Sequence, residues 1–417
     1  LFMEIVYPRA PGVDVHKSFI VAVICISESI KPRYIKKRFS TFNNQLIQFR
    51  DWLIENNCHN VCMESTGKYY IPVYNALEGH IPNVVVANPK WVKAIKGEKD
   101  DNKDAKWIAD LFKFGIVRSS YIPEKDIRIL REFTRYQYKL VNIRSSEKNR
   151  FQNALTVGNC KLDLVFTDVF GKSASSIVDT ILSDEPYTSE DILSAVEGTN
   201  LNQYQKARIK IVQKHMEYVD SLLDEVQHHI DMMVESYENY IQLLMTIPGV
   251  NRKSAIIIIS ELGIDVSQWS SARKLAAWAG LAPGRNESAG KKKSVKISKA
   301  GIYLKPCLVQ VAHAAVKDKT CSYYAEKFGR ISKRRGKKRA IIAIARKILV
   351  AIYHILKTGE VFNPSDMADV ETTKEQRIAY ITNNFRNAFN QLSRTGLSEE
   401  EILSIIIKKS NNSPQTE

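Results

Sequence analysis

The chain has 417 residues, 44% hydrophobic and 25% charged, a balance that excludes a disordered or fibrous protein and predicts two or three folded domains. Lys and Arg total 61 against 45 Asp and Glu, and the net charge of +16 suits a polyanionic partner, nucleic acid first. The most apolar stretch, Ala340 to Leu356, is interrupted by Arg346, Lys347 and His354, so no membrane-spanning helix is expected. The amino terminus lacks the basic, apolar and small-residue order of a secretory signal, and a cytoplasmic location is expected. Six scattered cysteines, with no Cys/His pair at zinc-site spacing after Cys58 and Cys62, read as reduced thiols.

Along the chain, Val13 to Val15 and Phe19 to Ile26 read as a hairpin about His16-Lys17-Ser18, with Tyr34 to Phe42 as a third strand. Asn43 to Asn56 is expected as an amphipathic helix, Asn60 to Ser65 as a strand, Lys68 to Leu77 as a helix and Val84 to Ala87 as a strand. A helix from Asp101 to about Phe114 is closed by Gly115. Three antiparallel strands followed by alternating strand and helix is the order of an RNase H-like sheet, an analogy at the level of fold. Long helical patterns then run from Ile127 to Leu155 and from Asn202 to Leu244. In the second, Ile209, Val212, Met216, Val219, Leu222 and Val226 recur at steps of three and four, which predicts an antiparallel helical hairpin or coiled coil. Residues 161–199 between them are mixed and rich in Ser and Asp, an inserted segment. Ile247-Pro248-Gly249-Val250 leads into a helix from Ser254 to Leu262. Such a turn offers backbone N–H groups to a phosphate, as in helix-hairpin-helix binders, or is a plain turn between packed helices. After Phe362 the chain turns polar and charged.

Cutting a nucleic-acid strand with two metal ions requires several converging carboxylates. Asp14 lies on the first strand beside its turn, and Glu64 ends a later strand just before Ser65-Thr66-Gly67. Asp101 and Asp104 share one helix face, with Asp100 a rival for Asp101. Singly, each acid also reads as a solvated cap or as part of a charged helix start, and His16 as a polar turn residue or a nearby ligand. Around Gly336, Lys333, Arg334, Arg335, Lys337, Lys338 and Arg339 are expected to hold phosphates, with Tyr323, Tyr324 and Phe328 upstream able to stack on unpaired bases; a solvated basic loop is the alternative.

The series Val13-Asp14-Val15-His16-Lys17, Met63-Glu64-Ser65-Thr66-Gly67 and Asp101-Asn102-Lys103-Asp104-Ala105 resembles the DEDD transposases of the IS110 insertion-sequence group, whose first domain is similar to the RuvC resolvase. On that resemblance the metal-binding acids are Asp14, Glu64, Asp101 and Asp104, with Mg²⁺ as the cofactor. Ala279-Gly280-Leu281-Ala282-Pro283 and Asn286-Glu287-Ser288-Ala289-Gly290-Lys291 resemble the family's Gly-Leu-x-Pro stretch and its Ser-Gly-Gly-Lys-like turn, which puts the catalytic serine at Ser288. Ala289 stands where Gly is commoner, and Glu287 where Ser is frequent. A serine hydroxyl needs activating surroundings, and Arg285, Lys291, Lys292 and Lys293 supply positive charge; a surface loop followed by a solvated charge run is the other reading.

The resemblance covers roughly residues 10 to 360. It implies an α/β, RuvC-like RNase H-fold catalytic domain over 1–120 and a helical coiled-coil region over 121–244 that contains the segment 161–199. A mainly helical transposase domain with the serine over 245–362, including the helix-hairpin-helix-like segment, and a polar tail over 363–417 complete it. The family further implies donor and target DNA sites, a noncoding bridge RNA that selects them, and a homo-oligomer, dimer or tetramer, in which the acids of one subunit work with the serine domain of another. The rival readings are a junction-resolving nuclease, in which the four acids activate water and Ser288 is structural, and a nonenzymatic DNA- or RNA-binding protein.

Overall fold

The computed structural model describes residues 4–28, 31–92, 101–183, 196–197, 199–283, 286–288, 291–294, 296–364 and 366, with scattered positions beyond; for 90–91, 101–102, 286–288 and 291–294 it describes the backbone alone. The chain divides into two compact units, Leu1–Ile122 and Pro123–Glu417.

The first unit runs β1 (Arg9–Val15), β2 (Phe19–Ile26), β3 (Arg33–Ser40), α1 (Asn43–Glu55), β4 (Asn60–Glu64), α2 (Tyr70–Leu77), β5 (Asn83–Ala87), α3 (Pro89–Val92) and α4 (Asp101–Phe112). Its sheet has the order β3-β2-β1-β4-β5, with β1, β2 and β3 antiparallel and β4 and β5 parallel to β1. This mixed sheet with flanking helices is compatible with an RNase H-like unit. Both faces are covered, which is why β2 reads as an unbroken run of apolar residues rather than an alternation. Ile20, Ala22 and Ile24 pack with Leu46, Phe49 and Leu53 of α1 and Val73 and Leu77 of α2. Val21, Val23 and Cys25 face the other way, toward Ala105, Ile108 and Ala109 of α4.

β1 begins at Arg9, not Val13: the Ala10-Pro11-Gly12 stretch that looks like a turn is the buried middle of the sheet. Gly12 is there because α4 crosses directly over it. A Cβ at that position would lie 2.2 Å from the Ala109 backbone N and 2.4 Å from the Ala105 carbonyl oxygen. At the sheet's edges, β3 exposes Arg33, Lys36, Lys37 and Arg38, and β5 is continued by a bridge between Ala87 and Ser119, with the Ser120 N–H donating to the Val86 carbonyl at 2.7 Å.

The second unit contains α5 (Lys125–Val157), α6 (Leu162–Val165), α7 (Lys172–Ser183), α8 (Gln203–Met233), a 3-10 turn (Glu235–Tyr237), α9 (Glu238–Met245), α10 (Arg252–Leu262), α11 (Ala272–Trp278), a hairpin of β6 (Asn286–Ser288) and β7 (Lys291–Ser294), α12 (Leu304–Lys317), α13 (Tyr323–Arg335) and α14 (Lys337–Thr358). α5 and α8 form the expected antiparallel hairpin, cross-linked by Gln137 Nε2 donating to Gln227 Oε1 at 2.8 Å and Arg144 donating to Asp220 at 2.9 Å. α8 opens on a reciprocal cap between Asn202 and Gln205, and the pattern expected to continue to Leu244 breaks at the 3-10 turn. Part of the mixed segment is ordered helix: Ile177, Val178, Ile181 and Leu182 of α7, with Leu162, pack on Phe151, Leu155, Ile209 and Val212 and close one end of the hairpin.

The Pro248-Gly249 turn is pressed against α12. Gly249 adopts φ +83°, and a Cβ there would lie 2.5 Å from the Ala315 N and 2.6 Å from the Val311 carbonyl oxygen. The following helix starts at Arg252, two residues before the expected Ser254, with Asn251 and Ser254 capping one another. At its other end Arg131 donates to the Ser260 and Glu261 carbonyl oxygens at 2.9 and 2.8 Å, and Arg135 binds both oxygens of the buried Glu261 carboxylate at 2.7 and 2.8 Å. The apolar stretch 340–356 is the core side of α14, and among the described residues no helix is long and apolar enough to cross a membrane. All six cysteines are buried and free.

Candidate functional site

β1 and β4 lie side by side and parallel, with Val13 opposite Met63, so Asp14 and Glu64 occupy the next level on neighbouring strands. Both point to the α4 face. Gly12, two residues before Asp14, touches α4, and Cys62, two residues before Glu64, packs among Ile108 and Ala109. The direction of α4 follows from the same contacts. Ile108, Ala109 and Phe112 cover the Ala10 and Cys25 level, while Ala105 lies over Gly12, Val21 and Val23, so the helix start heads toward the level of Asp14 and Glu64. Asp104 sits in that first turn, half-buried, and Asp101 opens the helix. The fold thus brings Asp14, Glu64 and Asp104 to one end of one sheet face. The Asp101 side chain and the whole of Asp100 lie outside the described residues.

Asp14 is only 8% exposed, and its Oδ2 lies 3.0 Å from His16 Nε2, whose ring stacks on Phe19 at 4.5 Å. In the sequence His16 reads as a polar turn residue, with a nearby metal ligand as the alternative. The signal that it does more is its two-residue spacing from Asp14, which sets the two side chains on the same side of an extended chain. α4 is held in place by Asp110, which accepts from Tyr34 Oη of β3 at 2.8 Å and from Lys113 Nζ at 2.7 Å; burial and the Asp110 carboxylate raise the Tyr34 phenol above its ordinary pKa. Burial pushes the Cys62 thiol up to about 12, and the polar donors beside it on this face are the carboxylate oxygens of Asp14, Glu64 and Asp104 with the His16 imidazole. That donor chemistry fits a hard divalent cation. Among the described residues no three His, Cys, Asp or Glu side chains come together closely enough to enclose one.

In the second unit, β6 and β7 pair antiparallel with Ser288 opposite Lys291 and Glu287 opposite Lys292. A short β-hairpin therefore carries Ser288 at a strand end, inside what sequence alone predicted to be mainly helical. Residues 284, 285, 289 and 290 and the side chains of Ser288, Lys291, Lys292 and Lys293 lie outside the described residues, so Arg285 and these groups remain sequence expectations. Upstream of the hairpin, Leu281 is buried and Pro283 bridges Ile297.

Lys333, Arg334 and Arg335 end α13, Gly336 turns the chain at φ +81°, and Lys337, Lys338 and Arg339 begin α14; all six basic side chains are exposed. Three of them, Arg335, Lys338 and Arg339, line a groove of about 1320 Å³ together with Lys296, Arg346 and Lys347, over a floor that includes Ile342, Val350 and Ile355. Among the described residues Glu360 and Asp366 are the acids lining it, and Lys327 and Tyr323 hydrogen-bond Asp366 and hold its carboxyl below the usual range. Arg346 and Lys347, which read in the sequence only as breaks in an apolar run, fall seven and eight residues after Arg339 and so on the same helix face. The aromatic expectation is corrected for Tyr323 and Tyr324, while Phe328 is half-buried. Tyr323 and Tyr324 are 5% and 1% exposed and pack against Phe362, each at 5.8 Å, so they belong to the core at the wall of the groove and present no open ring face on which a base could stack.

With this geometry in view, the comparisons with known proteins are specific. A family model for DEDD transposases of the IS110 type, described as transposase, matches residues 11–158, which include Asp14, Glu64, Asp101 and Asp104; a second, described as the transposase IS116/IS110/IS902 family, matches residues 241–328, which include Ser288. A probable family 20 transposase of Pseudomonas aeruginosa is 25% identical over 275 residues, 65% of this chain and 75% of that protein. The transposase for insertion sequence element IS1111A of Coxiella burnetii is 23% identical over 290 residues, 68% of this chain and 73% of its own. The first matched segment covers most of the first unit and runs on through α5 of the second, the other lies within the second unit, and together they span more than half of the chain. The chain belongs to the IS110 family of transposases and is a DNA transposase of the insertion-sequence kind.

Proposed function

We propose that this transposase cuts and rejoins donor and target DNA with two sets of groups: a RuvC-like acid site of Asp14, Glu64, Asp101 and Asp104 that holds Mg²⁺, and Ser288 as nucleophile. The observation that carries the reading is the adjacency of Asp14 and Glu64 on parallel strands, on the face along which the start of α4 brings Asp104. A divalent metal is general to DEDD transposases. When bound, it supplies positive charge against the oxygens on which charge develops at the scissile phosphate. The chain's own groups do the rest. His16 fixes the Asp14 carboxylate, and Asp110 ties α4 to Tyr34 so that the acids keep their spacing.

Ser288 Oγ attacks phosphorus, the P–O bond to the leaving strand breaks, and the serine proton ends on the departing oxygen. The link formed is a phosphodiester like the one broken, so rejoining needs no outside energy source. Arg285, Lys291, Lys292 and Lys293 offset the charge that develops at the phosphate. Lys333, Arg334, Arg335, Lys337, Lys338 and Arg339 hold nucleic-acid backbones, and a bridge RNA selects the sites by base pairing. The enzyme works in the cytoplasm as a homo-oligomer, and the four-part division at 120, 244 and 362 accompanies this reading.

The test uses nuclease-treated and RNA-loaded protein with Mg²⁺ and target DNA. A denaturant-resistant protein–DNA adduct is expected from the native enzyme. Ser288→Ala gives none while still binding DNA, and Asp104→Asn and Glu64→Gln give none either. Recombination at the native rate by Ser288→Ala, or an adduct mapped to another residue, overturns the serine mechanism, and cleavage without an adduct in that variant returns the metal-activated-water reading. Loss of activity in Asp101→Asn but not Asp100→Asn decides between those neighbours. Site-specific recombination by the RNA-free protein overturns the RNA partner.

A further inference from the structure

The alternation of side chains along neighbouring strands sets a group of residues beside Asp14 that the four acids do not include. Asp14 stands opposite Val21 of β2, and Val21 opposite Arg38 of β3, so the three share one row on the α4 face. In the next row, toward the turn, the His16 N–H donates to the Phe19 carbonyl oxygen at 2.9 Å and closes the hairpin of β1 and β2 around Lys17 and Ser18. His16, two residues from Asp14, and Phe19, two from Val21, therefore return to that same face. The turn is itself tied to the end of β3: Thr41 donates its Oγ1–H to the Lys17 carbonyl oxygen at 2.9 Å and its N–H to that of Ser18 at 3.1 Å.

Across these two rows the side chains are linked end to end. The Arg38 guanidinium lies 3.7 Å from the centre of the Phe19 ring, the Phe19 ring lies 4.5 Å from that of His16 with their planes 28° apart, and His16 Nε2 lies 3.0 Å from Asp14 Oδ2. A carboxylate only accepts, so the Nε2–H donates, and that nitrogen has no lone pair to offer a cation. The imidazole is thereby spent on orienting the carboxylate. A single hydrogen bond still leaves an imidazole able to turn about its side-chain bonds, and the stacked Phe19 ring restricts that turn. Phe19 is half-buried and Arg38 exposed, so the planar guanidinium packs on a ring that the core holds only in part.

We propose that Arg38 is a positioning residue of the acid site: it holds Phe19, Phe19 holds the His16 ring, and His16 sets the orientation in which the Asp14 carboxylate meets a divalent cation. This deepens, and rests on, the reading of Asp14, Glu64, Asp101 and Asp104 as the cation ligands. β3 carries no acid and is separated from β1 by β2, yet its Arg38 fixes a ligand on β1. Removing a hydrogen-bond partner behind a ligating group changes cation affinity by about 10–100-fold. The effect weakens outward along the contacts, since the loss of an exposed cation–π contact corresponds to about a two- to fivefold change. The flat guanidinium acts here on a ring. A contact between Arg38 and a nucleic-acid phosphate would show only when DNA is present, whereas an effect through Phe19 and His16 shows without it.

The test is Mn²⁺ binding by the full, nuclease-treated chain in the absence of DNA, followed by electron paramagnetic resonance. The wild type is expected to bind, and Asp14→Asn and Glu64→Gln to abolish binding at the site. His16→Ala should weaken it by about 10–100-fold, and His16→Gln, whose amide N–H can still donate, should recover part of the loss. Phe19→Leu and Arg38→Met should each weaken it by about two- to fivefold. The two together should weaken it no more than Phe19→Leu alone, because Arg38 acts through the ring. Circular dichroism and melting temperature check that each variant is folded. No wild-type binding, or binding that survives Asp14→Asn, overturns the acid-site reading and this support together. Loss in the acid variants with wild-type affinity in Phe19→Leu and Arg38→Met overturns the support alone, and fully additive losses in those two remove Arg38 from it. A nitrogen coupling to bound Mn²⁺ that His16→Gln removes makes His16 a ligand and overturns its role behind Asp14.

Discussion

Gly12→Ala tests whether the contact between β1 and α4 sets the spacing of the acids. The added Cβ would sit 2.2 Å from Ala109 N and 2.4 Å from the Ala105 carbonyl oxygen, and both obstacles are helix backbone that no side-chain rotation can clear. Relief to ordinary contact distance near 3.4 Å requires α4 to lift by about 1 Å. Overpacking of this kind costs about 1–3 kcal/mol, and two backbone clashes place Gly12→Ala at the upper end, a fall in melting temperature of about 10 °C for a unit of this size. The lift also carries Asp104 and Asp101 away from Asp14 and Glu64, and a shift of about 1 Å in a catalytic constellation costs about a hundredfold in rate. The assay pairs thermal unfolding with single-turnover strand cleavage, measured well below the melting temperature so that the protein stays folded. Wild-type melting and cleavage in Gly12→Ala would refute the packing argument. A destabilised variant that cleaves normally would show that the acids do not depend on the seat of α4.

Three further outcomes follow from the structure. Arg135→Ala leaves the Glu261 carboxylate buried without its bidentate partner and should destabilise the second unit by about 3–4 kcal/mol in urea unfolding, whereas a loss under about 1 kcal/mol would mean that Arg131 and solvent compensate. Replacing Arg334, Lys337 and Lys338 by alanine should lower the magnitude of the log–log salt slope of duplex DNA binding by about 2–3; an unchanged slope would show that these cations do not touch phosphates. Burial raises the thiols of Cys58 to about 11 and of Cys62 and Cys307 to about 12, so they should resist alkylation at pH 8.5 until denaturant is added. Because these pKa values are raised by folding, the stability they contribute is full below about pH 8.5 and falls as the pH climbs toward 11 and 12, which denaturant titration at pH 8 and pH 10.5 will show.

The elements that sequence made legible are those whose burial leaves a periodic trace. β2 was expected at Phe19 to Ile26 and is found there, because a strand covered on both faces is written as one apolar run. β1 was cut short, since Ala10-Pro11-Gly12 carries turn residues for a reason only the tertiary structure supplies, the close passage of α4. α7 left only a weak helix signal although Ile177, Val178, Ile181 and Leu182 sit at helical steps, because Ser173, Ser175 and Ser176 dilute its first turn. Nothing like Pro or Gly marks the break after Met233, so one continuous helix was the natural reading. At the acid site, Asp14 and Glu64 were legible as strand ends before turns. Their adjacency depends on a crossover that places β4 next to β1, and His16's contact with Asp14 depends on how the hairpin turns. In the second unit the density of cations was visible, but their distribution was not: Arg346 and Lys347 join the groove through helix periodicity, and Tyr323 and Tyr324 leave the surface through packing with Phe362.

The borders of the five-stranded sheet bear on how this protein behaves when crowded. A strand with open N–H and C=O groups is a template onto which another chain can add, and repeated addition leads to aggregates. β3 meets solvent with Arg33, Lys36, Lys37 and Arg38, four like charges that a second β3 would have to face at close range. At the opposite border the end of β5, Val86 and Ala87, is taken by the protein's own Ser120 and Ser119. Growth by strand addition is therefore opposed by repulsion along β3 and by prior occupancy at the end of β5, and removal of the four β3 charges would leave a template that the fold otherwise withholds.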